Sequence, residues 1–391
     1  MSFLPIAVIG GGPAGSAAAI TLARAGIPVT VIESKSFPRL KVCGEFISPA
    51  AVRFLESLLS PNELRTAGAR CVRELLIEES DREAAWRMPA PAWVLSRAVL
   101  DTLLLGRARE AGASILQPCT VREVRCNDNG VDLALANGSV LAAQLVIHAD
   151  GVGRHDPAGP IPARRGVLAR KCHLKAAHEG GPPPHLIRGL HMRAAAGCYV
   201  GMVGIEHARA TLALVARTSL IARHKGDADS MLAELWPAWR VEWRESDWLA
   251  CPVPDSGYIA PGHPRSFRIG NAAAAVEPVG GEGIGLAIWS GVTLGSLLVR
   301  ALASFCSCTD GGGVSSNARD GEEVASTEAI QGVHAHFSRL YRRRLLFRRT
   351  ACRAAAEVLM RPRIVRVLWP LLATRAIREV MLGPWYALTG K

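Results

Sequence analysis

Short apolar runs and glycines alternate along the first part of the chain. Ile6–Ile9 is an apolar run that leads directly into glycines, and Pro13–Ala25 is a longer alanine-rich segment that Gly26 ends. Val29–Ile32 is a second apolar run of the same kind. Uninterrupted apolar runs of this length are typical of strands buried on both faces, and a glycine after a helical pattern commonly ends the helix. The pattern predicts a strand, a tight turn, a helix and a second strand.

Further strands and helices interleave along the chain. Ser96–Ala111 has an amphipathic pattern that predicts a helix, whereas Ala158–Pro184 is rich in Pro, Gly and Arg and predicts a loop. Strands are predicted at 70–88, Ile115–Val124, Val131–Leu135, Val140–Ile147, Leu186–Arg193, Tyr199–Ile205 and Ala210–Ala216. We therefore expect an α/β fold with an inserted region of mixed sheet.

The last part of the chain changes in character. Residues 304–326 are polar and of low complexity, which predicts a flexible insertion between two helices. Residues 284–299 and 331–383 are predicted to be helical, and arginines interleave with large apolar side chains in the second of these segments. Pro362 and Pro370 predict that this segment is divided into several short helices.

Three tryptophans recur at helical spacing. Trp236, Trp239 and Trp243 are separated by three and four residues, which would place them on one face of a helix. Packing in a core is one interpretation, and a hydrophobic substrate wall is the other. His334 and His336 have no carboxylate cluster beside them, so no metal site is predicted there.

The composition is that of a folded protein and excludes a disordered chain. Of the 391 residues, 49% are hydrophobic and 20% are charged. Ten cysteines without a Cys-x-x-Cys pair indicate neither a disulfide scaffold nor a zinc ribbon. We expect no secretory leader, and hence a cytoplasmic protein. The longest uncharged run, between Glu282 and Arg300, is short for a membrane span.

Positive charge is concentrated at the C-terminus. The net charge is +12, and Arg339–Lys391 holds twelve Arg and one Lys against Glu357 and Glu379. The remainder is close to neutral, which argues against a nucleic-acid surface. The three hypotheses are helices with outward arginines, an acidic substrate, and peripheral contact of 339–378 with the inner face of the membrane. The apolar residues that would then lie on lipid are Leu345, Leu346, Phe347, Leu359, Val365, Leu368, Trp369, Leu371 and Leu372.

A glycine motif follows the first predicted strand. The segment Gly10–Gly15 reads Gly-Gly-Gly-Pro-Ala-Gly and contains the pattern Gly-x-Gly-x-x-Gly. The first glycine of this pattern makes a tight turn, the second lets the backbone approach a pyrophosphate, and the third lets the helix pack on the strand. Glu33 ends the second strand, where a carboxylate accepts hydrogen bonds from adenosine ribose hydroxyls. The motif predicts a dinucleotide site, and the Glu33 charge argues against a 2′-phosphate.

Four further motifs follow in order. They are Phe37–Glu45 with a Cys-Gly pair, Ser96–Leu104 with an arginine, Ala149–Gly151 with an Asp-Gly pair, and the glycine-rich Ile269–Gly285. The ordered set resembles the geranylgeranyl reductase family of FAD-dependent oxidoreductases, within the para-hydroxybenzoate hydroxylase-type flavoprotein superfamily. The resemblance covers roughly residues 1–300 and implies a Rossmann-like FAD-binding domain.

The resemblance also implies the cofactor contacts and the division of the chain. Contacts with FAD are implied at Gly10, Gly12, Pro13, Ala14, Gly15, Glu33, Ser34, Arg39, Cys43, Gly44, Arg97, Val121, Asp150, Gly151, Gly270, Asn271, Pro278, Gly281, Gly283 and Ile284. The implied FAD-binding domain is discontinuous, over 1–68, 96–160 and 256–303. A mixed-sheet substrate domain is implied over 69–95 and 161–255, followed by the insertion at 304–326 and a basic helical region at 327–391.

Cys43 is the candidate catalytic residue, because the Cys-Gly segment of the family lies near flavin and substrate. A reactive cysteine needs a cationic neighbour, which Lys41 or Arg39 would supply. The alternative interpretation of Cys43 is a small buried hydrophobic residue.

The resemblance implies an enzyme that reduces carbon–carbon double bonds of a hydrophobic, isoprenoid- or polyketide-like small molecule. NAD(P)H would be a transient reductant, since the chain has no second Gly-x-Gly-x-x-Gly motif. The alternatives are an FAD-dependent monooxygenase acting on a hydrophobic or aromatic substrate and a non-catalytic flavin carrier. Gly281–Ile284 reads Gly-Glu-Gly-Ile where aromatic hydroxylases usually read Gly-Gln-Gly-Asn, which favours the reductases. Asn271 stands where the family usually has Asp.

Overall fold

The computed structural model describes residues 5–151, 156, 158–255, 257–308 and 316–374, with the backbone alone for 304–308 and 316–327. Its strands are β1 (Ile6–Ile9), β2 (Val29–Ile32), β3 (Phe46–Ile47), β4 (Arg70–Glu79), β5 (Arg82–Val94), β6 (Ser114–Leu116), β7 (Val121–Cys126), β8 (Val131–Leu135), β9 (Val140–Ala143), β10 (Leu145–His148), β11 (Ala163–Leu174), β12 (Leu190–Ala195), β13 (Cys198–Gly204), β14 (Ala210–Arg217), β15 (Leu249–Pro254), β16 (Gly257–Tyr258), β17 (Ser266–Arg268) and β18 (Ala274–Ala275). Its helices are α1 (Pro13–Arg24), α2 (Pro49–Glu56), α3 (Pro61–Thr66), α4 (Arg97–Glu110), α5 (Thr218–Arg223), α6 (Ala228–Leu235), α7 (Glu282–Cys308), α8 (Ser316–Leu345), α9 (Arg348–Leu359) and α10 (Pro362–Ala373).

A five-stranded parallel sheet has the order β17-β10-β1-β2-β6. Ile6 and Val8 of β1 pack in a core with residues of α1, α4 and α7. Ala7 and Ile9 pack on the other face, against the three-stranded sheet β7-β8-β9. Successive side chains of a strand point to opposite faces, so an unbroken apolar run is what a strand covered on both sides requires. The predicted strand, turn, helix and second strand are confirmed.

An eight-stranded mixed sheet has the order β15-β11-β14-β13-β12-β4-β5-β3. Strands β12 and β4 run parallel, and the other neighbouring strands pair antiparallel. Residues of α5 and α6 pack on one face of this sheet, and the other face is turned toward the loops of the parallel sheet. The parallel sheet, the mixed sheet and the C-terminal helices confirm the predicted α/β class.

Strand β11 corrects the loop predicted for Ala158–Pro184. Residues Ala163–Leu174 pair with β14 on one side and with β15 on the other. The strand was missed because it carries Arg164, Lys171 and His173, which are buried although their side chains are polar. Each of these side chains has an acidic partner from a distant segment, which the local pattern does not reveal.

Two predicted strands are divided between sheets. Ile115–Val124 was expected as one strand, but β6 belongs to the parallel sheet and β7 to the three-stranded sheet. Val140–Ile147 divides in the same way into β9 and β10, on either side of Gln144. The chain passes from one sheet to another at each break, so each predicted strand contributes to two sheets.

The tryptophans cluster without sharing a helix. Helix α6 ends at Leu235, so the predicted helical face is wrong for Trp236, Trp239 and Trp243. Their ring centroids nevertheless lie 5.8–6.3 Å apart, because the turns that follow α6 fold back on themselves. Trp236 and Trp239 are buried in the core between α6 and the mixed sheet, as the packing interpretation predicted.

The C-terminal region is helical on both sides of residues 309–315, which lie outside the described residues. Residues 304–308 belong to α7 and 316–326 to α8, so both ends of the predicted flexible insertion are helix instead. The segment following 316 contains Ala, Arg and Glu, which favour helix in spite of its polarity. Helices α9 and α10 follow, and the part of the predicted helical region after Thr374 lies outside the described residues.

One helix in the described part of the chain has the length and hydropathy of a membrane span. It is Glu282–Ala303 of α7, and 56% of its most apolar window is buried inside the fold. Residues of α1, α2 and α8 pack against it, as expected for the core helix that the sequence predicted.

Candidate active site

A deep cavity lies where the carboxyl ends of the parallel strands meet the mixed sheet, the place where α/β folds bind ligands. The predicted contact residues that line it are Gly12, Pro13, Ala14, Cys43, Gly44, Arg97, Gly151, Gly270, Asn271, Pro278, Gly281, Gly283 and Ile284. The mixed sheet contributes Ala169, Leu190, Met192, Tyr199, Gly201, Ala213, Val215, Cys251 and Val253. Five segments that are distant in sequence therefore converge on one space.

Seven predicted contact residues do not line this cavity. Gly10, Gly15, Glu33, Ser34, Arg39 and Asp150 surround the turn after β1. Val121 lies apart from them, because β7 places its buried side chain in the core beneath the parallel sheet, with Ile9 and Ile32.

The turn after β1 requires glycine for two different reasons. Gly10 has a φ of 104°, and a Cβ there would lie 2.6 Å from the carbonyl oxygen of Ala149. A Cβ on Gly15 would overlap the carbonyl oxygen of Gly10. Gly12 differs, because the nearest atom to a Cβ there would be an Arg97 nitrogen at 3.7 Å. The first and third glycines therefore serve the fold, and the second borders the cavity.

Glu33 ends β2 beside this turn. Its buried carboxylate accepts hydrogen bonds from the backbone N–H groups of Gly11 and Lys35, both at 2.9 Å. Ser34 Oγ lies 3.5 Å from the same carboxylate, and an Arg39 nitrogen lies 3.7 Å away. The acid is therefore held at the end of the strand, where the motif predicts a ribose.

Arg97 begins α4 and reaches the cavity between the turn and Cys43. Its guanidinium makes two hydrogen bonds with Asp101, of 2.7 and 2.6 Å, and also interacts with the Cys43 thiol. Burial acts to lower the pKa of Arg97, but the Asp101 carboxylate outweighs it and raises that pKa. Arg97 is thus a fixed positive charge beside Cys43.

Lys41 is a second cation in the cavity lining. Its Nζ lies 3.6 Å from the position that a Cβ on Gly151 would take. Burial, followed by the charges of Arg97 and Arg39, lowers the pKa of Lys41 to about 8. The sequence indicated Lys41 only as a neighbour of Cys43, and the structure places it against the Asp-Gly motif as well.

A buried ionic cluster joins the Cys-Gly segment to the mixed sheet. The Glu45 carboxylate accepts hydrogen bonds from Lys171 Nζ at 2.5 Å and from the Arg97 N–H at 3.0 Å, and His173 Nε2 lies 2.9 Å from it. Burial acts to raise the pKa of Glu45, but the His173 hydrogen bond and the Lys171 charge outweigh it, so that pKa is lowered. The cluster fixes the loop that carries Cys43 against β11.

Tyr199 and Glu277 form another contact that sequence reasoning missed. The Tyr199 hydroxyl donates to Glu277 Oε1 at 3.2 Å, and Arg164 Nη1 lies 2.5 Å from Glu277 Oε2. Glu277 directly precedes Pro278, the start of the predicted flavin motif. The available signal was the buried-strand register of Tyr199 together with an acidic residue before a glycine motif, but their separation along the chain hid the pairing.

Solved structures of other proteins share this fold. A geranylgeranyl bacteriochlorophyll reductase-like protein from Thermoplasma acidophilum has a TM-score of 0.73 and 19% identity, covering 96% of this chain and 92% of that one. PqsL from Pseudomonas aeruginosa, described as a probable FAD-dependent monooxygenase, has a TM-score of 0.73 and 17% identity, covering 94% of this chain and 100% of that one. These likenesses concern the fold.

Sequence comparison adds the cofactor. Residues 4–155 match the family model of an FAD binding domain. The menaquinone reductase of Mycolicibacterium smegmatis is 28% identical over 305 residues, covering 73% of this chain and 74% of that protein. Digeranylgeranylglycerophospholipid reductase 1 of Methanopyrus kandleri is 28% identical over 323 residues, covering 76% and 80%. These matches indicate an FAD-dependent oxidoreductase whose FAD-binding domain includes residues 4–155.

The donor groups of this oxidoreductase fit FAD. Helix α1 begins without a side-chain cap and without an acidic residue in its first turn, so its N–H groups and its positive end are available to a diphosphate. Arg39 Nε is buried and has no hydrogen-bond partner among the described residues. When bound, FAD supplies hydride and electron transfer, and the protein supplies position and electrostatics.

Gly283 and Asn271 line the cavity on the side of the second glycine-rich motif. A Cβ on Gly283 would meet no atom within 4 Å, so the first turn of α7 is open to the cavity. Asn271 lines the same space and offers both a donor and an acceptor where the family usually has a carboxylate. Among the described residues, no group of His, Cys, Asp and Glu has the arrangement of a metal site, and His334 instead stacks on Phe267.

Proposed function

We propose that this FAD-dependent oxidoreductase takes electrons from NAD(P)H and reduces carbon–carbon double bonds of a hydrophobic isoprenoid-type substrate. The observation that carries the proposal is the continuity of the cavity. It runs from the predicted flavin motif at Pro278–Ile284 to an apolar wall on the mixed sheet. A cavity with a polar cofactor end and an apolar substrate end is the usual form of a site for a hydrophobic ligand.

The wall itself supports a bulky substrate. Gly201 and Ala213 lie opposite each other in neighbouring strands, and both line the cavity. Leu190 and Met192 from β12 surround them. Small residues at the centre and larger apolar residues around them leave room for a hydrophobic group.

The names of the relatives support the same substrate class. One acts on menaquinone and one on a digeranylgeranyl lipid, according to their names. Both molecules carry unsaturated isoprenoid chains, which suit an apolar cavity. NAD(P)H is the proposed electron donor. The chain has no second Gly-x-Gly-x-x-Gly motif, but a reductant that enters the cavity only transiently does not need a domain of its own.

Reduction of the flavin by NADPH and reduction of the substrate by the flavin can be measured separately. Under anaerobic conditions, NADPH is expected to bleach the flavin absorbance of the purified holoprotein. A short-chain menaquinone should then restore that absorbance and leave with a chain that has gained two hydrogens. The ring of the product is reoxidised to the quinone before mass spectrometry. The gain in mass then counts only the hydrogens that were added to the side chain.

The matched control is a menaquinone whose side chain is already saturated, which should show no gain in chain mass. Restored flavin absorbance with an unaltered unsaturated chain would contradict double-bond reduction. Oxygen-dependent NADPH consumption with a hydroxylated product would instead assign the protein to the monooxygenases.

We further propose that the C-terminal helices contact an anionic membrane surface, from which such a substrate would be drawn. Phe347, between α8 and α9, is 58% exposed, and Val367 in α10 is 79% exposed. Arg363 lies exposed in α10, and the whole region carries most of the positive charge. Exposed apolar side chains among arginines suit the boundary between acyl chains and acidic headgroups.

Not all of the apolar residues suggested by the sequence are available to lipid. Leu345 and Val365 are buried in the fold, at 2% and 0% exposure. Leu346 and Leu371 are exposed, together with Ile364, which the sequence did not single out. The proposed contact therefore rests on a part of the predicted set.

The second prediction tests this contact by liposome co-sedimentation. The wild type is expected to pellet with phosphatidylglycerol vesicles at low salt and to be released at high salt, because the headgroup attraction is screened. The double variant Phe347→Glu/Val367→Glu should bind at least about tenfold more weakly, since each change replaces an apolar contact with a repelled charge. Val140→Glu is the matched control, because Val140 is 64% exposed on β9. Equal binding by all three proteins would rule out the surface.

A further inference from the structure

Saturation of a double bond needs a proton as well as a hydride. The donor must hold a proton near neutral pH and must face the cavity. Among the described residues that line the cavity, the lysine, cysteine and tyrosine side chains, which can carry a transferable proton, are Lys41, Cys43, Tyr199 and Cys251.

Tyr199 is placed on the substrate wall by the alternation of β13. Its ring and Gly201 line the cavity, whereas Val200 points into the core behind the sheet. Ala213 pairs with Gly201 in the neighbouring strand. Because Gly201 has no side chain and Ala213 has a small one, a substrate on this wall would lie close to Tyr199.

The Tyr199 hydroxyl is held at the junction of the substrate wall and the predicted flavin motif. It donates to Glu277 Oε1 at 3.2 Å, and Glu277 is followed directly by Pro278. Both Tyr199 and Glu277 are buried. Because the phenol O–H rotates about its C–O bond, its hydrogen can turn from the carboxylate toward the cavity without movement of the ring.

Charged side chains surround the hydrogen-bonded pair of Tyr199 and Glu277. Arg164 Nη1 lies 2.5 Å from Glu277 Oε2, and Arg164 Nη2 lies 2.6 Å from Glu357 Oε1 in α9. Arg217 reaches the other Glu357 oxygen at 3.0 Å. Burial, followed by the Glu277 charge, raises the pKa of Tyr199 well above its usual value. The phenol is therefore protonated at neutral pH, and its oxygen is held beside Glu277.

The other candidate proton donors lie at the cofactor end of the cavity or have no buried carboxylate as a hydrogen-bond partner among the described residues. Lys41 lies beside Gly151, and Cys43 interacts with Arg97, so both face the cofactor end of the cavity. Burial raises the pKa of the Cys251 thiol. In the described part of the chain, none of the three is hydrogen-bonded to a buried carboxylate as Tyr199 is.

We propose that Tyr199 is the catalytic acid that protonates the second carbon of the double bond, with Glu277 as its positioning residue. This inference rests on the proposed function. One carbon of the double bond would accept a hydride with its electron pair, which is the chemistry that bound FAD would supply at the expense of NAD(P)H. The Tyr199 O–H bond breaks, and a C–H bond forms at the other carbon. The phenolate that remains takes a proton from water after the product leaves, so one NAD(P)H and one proton are consumed for each double bond.

The third prediction separates the two half-reactions of Tyr199→Phe. NADPH should bleach the flavin of this variant at the wild-type rate. Transfer to the chain of a short-chain menaquinone should slow by about a hundredfold or more, the usual range for loss of a general acid. Tyr258→Phe is the matched control, because Tyr258 bonds Ser338 and does not line the cavity. Cys43→Ala is measured beside it, and a slow second half-reaction in that variant alone would make Cys43 the donor.

A second measurement does not depend on turnover. The ultraviolet absorption of tyrosinate is titrated in the apoprotein, and the Tyr199→Phe curve is subtracted from that of the wild type. The difference should show a phenol that ionises above the ordinary tyrosine pKa of about 10, and Glu277→Gln should move that ionisation to lower pH. An ordinary pKa, or one that Glu277→Gln leaves in place, would overturn the role of Glu277.

The two proposals fail in distinguishable ways. A wild type that saturates the chain, together with a Tyr199→Phe variant that does so equally fast, overturns the proton donor alone. A wild type that never saturates the chain overturns the proposed function and the proton donor with it.

Discussion

Replacement of Gly15 by alanine is expected to abolish the folded holoprotein. The added Cβ would overlap the carbonyl oxygen of Gly10, and backbone is the part of the turn that cannot move aside. Extra atoms in a packed site usually cost about 1–3 kcal/mol, and we expect a larger loss here because β1 and α1 would be forced apart. Urea unfolding and the flavin content of the purified protein measure the effect.

The matched variant Gly12→Ala is expected to fold and to lose FAD affinity by about tenfold or more, since tenfold corresponds to about 1.4 kcal/mol. A Cβ at Gly12 would be 3.7 Å from its nearest neighbour, so the fold tolerates it. The methyl group would nevertheless stand at the start of α1, where the N–H groups are free to meet a diphosphate. FAD titration of the apoprotein measures this loss.

Gly332→Ala in α8 is the control for the substitution itself, because a Cβ there would meet no atom within 4 Å. It should leave FAD affinity unchanged and stabilise the helix by up to about 1 kcal/mol. If Gly12→Ala binds FAD as tightly as the wild type does, the N-terminus of α1 is not the diphosphate site.

Outside the glycine turn, Lys171→Met is expected to cause the largest loss in the free energy of unfolding. Lys171 is 1% exposed and lies 2.5 Å from the fully buried Glu45 carboxylate. Removal of Lys171 takes the ion-pair partner away from the buried Glu45 carboxylate, which keeps only its contacts with His173 and the Arg97 N–H. Loss of one partner of a buried ion pair costs about 3–5 kcal/mol. Urea unfolding at neutral pH measures the loss. Lys225→Met is the matched control, because Lys225 is exposed and has no such partner among the described residues.

The loss of stability in Lys171→Met relative to the wild type should depend on pH. The pKa of Glu45 is lowered in the folded wild type, so its contribution to stability is present above the unfolded pKa of about 4.3 and disappears as the pH falls through the folded value. Without Lys171, Glu45 should accept a proton at higher pH, and the unpaired charge should then be removed. The deficit is therefore expected to be largest near neutral pH and to shrink on acidification. An equal deficit at both ends of this range would show that lost packing, and not charge, is responsible.

The glycine turn illustrates what local pattern can predict. Ile6–Ile9 and the motif at Gly10–Gly15 are contiguous, so their apolar run and their glycine spacing are visible within a few residues. The three-dimensional reason for the third glycine is equally local, because Gly15 packs on the carbonyl of Gly10. Local constraints of this kind also determined Val29–Ile32 and the start of α4 after Ser96.

The polar core residues show where local pattern fails. Lys171 and His173 make their segment of β11 look like a loop, yet both contact the Glu45 carboxylate, more than 120 residues away. The Tyr199–Glu277 contact spans 78 residues in the same way. A polar residue is compatible with a buried strand only when a distant partner compensates its charge, and periodicity carries no information about that partner.

The sequence by itself determined the nucleotide-binding turn, the α/β class and the ordered motifs that resemble FAD-dependent reductases, because each depends on residues close together in the chain. Only the tertiary structure decided which polar groups share the cavity. It brought Lys41 beside Gly151, joined Glu45 to β11 and aimed Tyr199 toward Glu277. The physical reason is that buried charges and hydrogen bonds are satisfied pairwise across layers, so the chemistry of the site is set by packing between distant segments.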